Sequence, residues 1–150
     1  MRRAIALLLS IILLIPLGMV SAQEEKVSSS VEWLEDGSSI ETVLYVMDSR
    51  ASGTKTAKKV TTLKDGAGNV DVEMTLTATF TYDGTTATAT SSSVSVTIYD
   101  SNWSVDYKYT VRSGNTATAT VKLIRTVLGV VVEEPTYAIT LTCSPDGTLS

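Results

Sequence analysis

Between Val70 and Tyr82 apolar and polar residues alternate without interruption. Val70, Val72, Met74, Leu76, Ala78, Phe80 and Tyr82 fall on one side, and Asp71, Glu73, Thr75, Thr77, Thr79 and Thr81 on the other. A period of two sustained over such a length predicts an antiparallel strand with one face in a core and a threonine-rich face in water. Asp83-Gly84 follows as a hairpin turn. The return strand, Thr85 to about Tyr99, changes phase: Ala87 and Ala89 are odd-numbered, whereas Val94, Val96 and Ile98 are even-numbered. A β-bulge near Ser91-Ser92-Ser93 restores a single inward face.

The next pair repeats the design. Trp103, Val105, Tyr107, Tyr109 and Val111 alternate with Ser104, Asp106, Lys108, Thr110 and Arg112, and Ser113-Gly114-Asn115 turns the chain into Thr116 to Val127. Gly114 to Thr120 nearly copies Gly84 to Thr90, thirty residues earlier, and this predicts two similar long hairpins in one sheet system. Upstream, Val27 to Leu34, Ile40 to Met47 and Lys55 to Leu63 read as strands, with turns at Asp36-Gly37 and from Asp48 to Gly53. Ser38-Ser-Ile-Glu41 has the form of a helix capping box, but Val43, Tyr45 and Val46 favour a strand. Glu133-Glu134-Pro135 breaks the chain before a last strand, Thr136 to Cys143, and Ser144-Pro-Asp-Gly147 closes it. About eight strands in consecutive hairpins predict an all-β domain, an antiparallel β-sandwich, with a closed up-and-down barrel as the alternative.

The N-terminus has a different pattern. Arg2 and Arg3 precede a run from Ala4 to Leu17 in which Ser10 is the only polar residue, and Pro16 and Gly18 then break it. Val20-Ser21-Ala22 places small residues at the positions read by signal peptidase, so residues 1–22 are expected to be a secretory signal cleaved between Ala22 and Gln23. A spanning helix needs roughly 20 apolar residues, more than this run supplies. With no cysteine in the signal and no hydrophobic C-terminal tail, the mature chain is expected to be secreted and extracellular, free of the membrane.

Removing 22 residues from 150 leaves 128, a size suited to one domain, residues 23–150. Loss of Arg2 and Arg3 moves the net charge from −4 to −6, which argues against nucleic acid as a partner. There is no histidine, which removes Ser-His-Asp and Cys-His catalysis and the usual zinc sites. No catalytic residue, metal site or cofactor is expected. The single cysteine, Cys143, cannot form an internal disulfide; it continues the alternation of Tyr137, Ile139 and Leu141 and is expected to be a small buried hydrophobe.

The export signal, the Trp33-to-Val46 segment around Asp36-Gly37 and the ending Leu141-Thr-Cys-Ser-Pro-Asp-Gly147 resemble small secreted proteins of Gram-positive, gut-type bacteria. The resemblance implies location and an all-β fold, and it carries over no functional residues.

Three groups of side chains bear on function. Trp103, Tyr107 and Tyr109 share one face of their predicted strand. Interleaved with valine they are expected to be core, but if solvent reaches them the rings are suited to stacking on sugars or peptides. Asp65 to Glu73 places oxygen ligands around a glycine-rich turn, without the spacing of a calcium loop, so a plain hairpin is expected. Lys55, Lys58, Lys59 and Lys64 form a basic cluster that suits either anionic polymers or an edge strand guarded against aggregation.

The pattern as a whole predicts a secreted, non-catalytic module that binds an extracellular protein or glycan. The alternatives are a small-ligand carrier, marked by a large apolar cavity, and a carboxylate-dependent glycoside hydrolase, marked by paired carboxylates in a groove.

Overall fold

The structure, a computed structural model, describes residues 23–47 and 53–150. The expected signal segment 1–22, with Ala22 of the cleavage site, and residues 48–52 of the predicted Asp48-to-Gly53 turn lie outside the described residues.

Among the described residues nine strands follow in order: β1 (Glu24–Trp33), β2 (Ser39–Met47), β3 (Thr54–Lys64), β4 (Val70–Tyr82), β5 (Ala87–Ile98), β6 (Trp103–Ser113), β7 (Thr116–Val127), β8 (Val130–Glu133) and β9 (Thr136–Thr142). The first five form one antiparallel sheet in sequence order. In the second sheet β7 pairs with β6 on one side and with both β8 and β9 on the other. Facing one another, the two sheets form a β-sandwich. They draw together where β5 meets β6: the Ala89 amide donates to the Gly114 carbonyl at 2.8 Å, and the Ser92 hydroxyl donates to Thr110 at 2.9 Å. These two strands form no ladder, and the sheets do not close into a barrel.

Alternation dictates the core. From β4, Val72, Met74, Leu76 and Phe80 are fully enclosed. They pack with Leu44, with Ala117, Ala119, Val121 and Leu123 of β7, and with Ile139, Leu141 and Cys143. Each large side chain so enclosed contributes about 1.5–3 kcal/mol. Cys143 fills the small-hydrophobe role expected of it, and burial pushes its thiol up from the ordinary value. The phase change in the first hairpin is a bulge at Thr90: Thr79 faces Ser91 and Phe80 faces Ala89, so Ala87, Ala89, Val94, Val96 and Ile98 all turn inward.

Four expectations are corrected. The two similar hairpins lie in different sheets, β4–β5 in the first and β6–β7 in the second, where they face each other across the core. The strand carrying the lysines is not an edge, because β3 lies between β2 and β4. Its odd-numbered residues face the core, so Lys59 sits between Leu44 and Leu76, and Lys55 and Lys59 cross to the second sheet's end of the chain. Their ammonium groups donate to the carbonyls of Gly147 and Thr140, each at 2.7 Å. An unexpected short strand, β8, precedes the Glu133–Pro135 break. The fourth correction concerns the aromatic stripe.

Candidate functional site

The stripe divides because β6 contains a bulge. Trp103 lies opposite Arg125 and Val105 opposite Leu123, but the ladder resumes with Tyr107 opposite Lys122, leaving Asp106 without a counterpart. One extra residue reverses the alternation beyond it. Trp103 therefore points inward and is buried, whereas Tyr107, Tyr109 and Val111 stand on the outer face, 44%, 51% and 53% exposed. Trp103 does not share a face with the two tyrosines.

The tyrosine rings stack with centroids 6.0 Å apart and planes inclined at 28°. Opposite them on β7 are Lys122, Thr120 and Thr118, and beyond these on β9 are Thr136, Ala138 and Thr140. The result is an aromatic pair on the edge of a sheet face covered with hydroxyls. Lys122 is held at its border by Asp106, at 3.0 Å, and Glu134, at 3.4 Å, which raise its pKa above the ordinary value.

Trp103 belongs instead to a second region at one end of the sandwich. A cleft of about 330 Å³ opens there between the β1–β2 turn, the β3–β4 turn and the ends of β7 and β8. Trp103, 8% exposed, lines it, and the Arg125 guanidinium lies 5.7 Å from the centre of its indole ring. Arg125 Nη1 reaches the Glu133 carboxylate at 3.2 Å. Neither the buried Trp103 Nε1 nor the buried Arg125 Nε finds a protein acceptor in hydrogen-bond geometry.

The carboxylates of the cleft differ in their duties. Asp36 accepts from the amide and hydroxyl of Ser38, and Asp65 from the amides of Ala67 and Asn69 and the Asn69 side chain. These bonds hold both groups below the ordinary carboxyl value. Both are turn-capping residues, and the Asp65-to-Glu73 loop is a plain hairpin. Asp71 is different. It is the extra residue of a bulge, since Leu63 faces Val72 and Lys64 faces Val70. The bulge turns it away from the threonine face expected for it and into the cleft, where burial and the neighbouring Asp100 push its carboxyl up while the Trp103 N–H draws it down. Among the described residues no group of three His, Cys, Asp or Glu side chains is placed to hold a metal.

From sequence, Trp103, Lys64, Asp65 and Asp71 were named in three separate groups and not brought together as a cleft, and Arg125 was not named, yet one signal was present. Ala117, Ala119, Val121 and Leu123 set the inward phase of β7, and Arg125 is the next residue in that phase, a charge at the end of an apolar face. Asp71 gave no signal, because its bulge is set by pairing with β3. No known protein family, curated protein or solved structure matches the chain.

Proposed function

We propose that the chain is an exported, non-catalytic binding module that holds an extracellular glycan on the outer face of the β6–β7–β9 sheet. The observation that carries this reading is the exposed, stacked pair Tyr107 and Tyr109. Aromatic rings offer flat apolar faces to the C–H faces of sugars, and their hydroxyls remain available for hydrogen bonds. The neighbouring Thr118, Thr120 and Thr140 add donors and acceptors on the same plane. A protein partner is the lesser fit for this face, since two rings and one valine among hydroxyls lack the broad apolar centre typical of protein interfaces. The absence of histidine supports a binding role over an acid–base one. The basic n-region, apolar run and Val20-Ser21-Ala22 support export.

A glycan array followed by calorimetry on the best-bound sugar tests the proposal. The purified protein should bind, and Tyr107→Ala with Tyr109→Ala should weaken binding at least tenfold, with the circular dichroism of the fold unchanged. Undiminished binding by that double variant contradicts the reading.

A further inference from the structure

We infer that the acidic end of the sandwich is a docking site for a basic, apolar-flanked segment of another polypeptide. This surface is separate from the tyrosine face, and its occupant is indicated by three independent features.

Charge comes first. Asp36, Asp65, Asp71 and Glu133 line the cleft against only Lys64 and Arg125. Lys64 is engaged by Glu41 at 2.6 Å, and Arg125 by Glu133. The cleft therefore retains an excess of negative charge, and this attracts a cation from outside. Arg125 over the Trp103 ring already shows the mode in which such a site receives a guanidinium.

The second feature is a set of exposed apolar side chains on the two segments that lead out of the cleft at Leu34 and at the Arg125–Glu133 pair. Trp33 and Leu34 at the end of β1 are 73% and 42% exposed. The β7–β8 hairpin carries Val127, Leu128 and Val130, all exposed, with Leu128 at 98% on its tip. Leu128 also holds φ at 50°, a left-handed conformation that favours Gly or Asn over an apolar side chain. A leucine so exposed buries almost no apolar surface within the fold, which leaves its side chain free for a partner.

The third feature is the Trp103 indole N–H, which is buried at the cleft beside the Asp71 carboxylate but out of hydrogen-bond geometry with it. Buried donors are almost always paired, and a peptide carbonyl is a suitable acceptor. A free amine lacks the apolar contact and the carbonyl, and a neutral glycan lacks the charge. A basic peptide segment supplies all three. A lipid surface would engage the Leu128 tip alone, and the carboxylates would repel anionic headgroups.

The test uses the purified protein and a short peptide alternating lysine and leucine, with titration followed by calorimetry and by the fluorescence of Trp33 and Trp103, both at this end. The peptide should bind, its glutamate-for-lysine analogue should not, and binding should weaken with salt. Asp36→Asn with Asp71→Asn should weaken it by about tenfold. Glu25→Gln with Asp83→Asn, the same charge change at the opposite end, should alter it by less than about twofold. Leu128→Asn, which suits the left-handed turn, should weaken binding without lowering the melting temperature, and Arg125→Gln should strengthen it by removing the resident cation. Equal losses from the two double variants would reduce the effect to net charge and overturn the proposal. So would absence of peptide binding alongside capture of the protein by phosphatidylcholine vesicles, which would assign the tip to a membrane. Glycan binding by Tyr107 and Tyr109 should be unaffected by these variants, so the two readings fail separately.

Discussion

Lys59 extends from the core face of β3 and donates to the main-chain carbonyl of Thr140 on β9, 2.7 Å away across the sandwich. Burial holds its ammonium below the ordinary lysine value of 10.5, so desolvation outweighs the bond it makes. Between the folded and unfolded values the unfolded chain binds more protons, and stability rises with pH in that window. Lys59→Met should therefore be neutral to slightly stabilising at pH 7, by no more than about 1 kcal/mol. Its advantage should shrink as pH approaches 10.5, as read from paired denaturant curves. A variant clearly less stable at pH 7 would show that the tie to Thr140 dominates.

Asp71 has the opposite sign. Its carboxyl is raised above 3.8 by burial and by Asp100, so the folded state binds the extra proton. Its contribution is most favourable below pH 3.8 and is lost as pH rises through the folded value. Asp71→Asn should raise the melting temperature at pH 7 by about 2 °C and leave it unchanged near pH 3. A loss of stability at pH 7 would mean that the Trp103 N–H, which lowers the Asp71 value, is the stronger influence.

The bulge at Asp106 determines which aromatics are exposed. Deleting Asp106 would join the pair Val105–Leu123 directly to the pair Tyr107–Lys122, so both tyrosines would keep the outer face without the bulge. The deletion also removes one exposed partner of Lys122, worth no more than about 1 kcal/mol. The melting temperature should change little, and glycan binding should stay within about twofold of wild type. Loss of binding with the fold intact would show that the local twist of the bulge, and not the facing of the rings alone, shapes the site.

The sequence made the strands legible because β7, and β4 beyond Asp71, keep strict alternation: Val70–Tyr82 and Thr116–Val127 have the boundaries expected of them. The Thr90 bulge was also legible, since the apolar phase changes visibly from Ala89 to Val94. The Asp106 bulge was not, because Trp103, Val105, Tyr107, Tyr109 and Val111 are all apolar and conceal the reversal. Only the ladder with Lys122 and Leu123 reveals it. Assignment of β3 to the sheet interior depends on pairing with β2 and β4, which local composition does not encode. The same holds for the cleft, whose residues come from four separate parts of the chain.

Exposure of Tyr107 and Tyr109 on a hydroxyl-covered sheet face is the centre of the functional account. The most direct test is calorimetric titration of the wild type, Trp103→Phe and the Tyr107→Ala, Tyr109→Ala double variant with the glycan selected on an array. The account predicts wild-type affinity for Trp103→Phe and at least a tenfold loss for the double variant. Binding that survives in the double variant, or that is lost with Trp103→Phe while the fold remains intact, would contradict it.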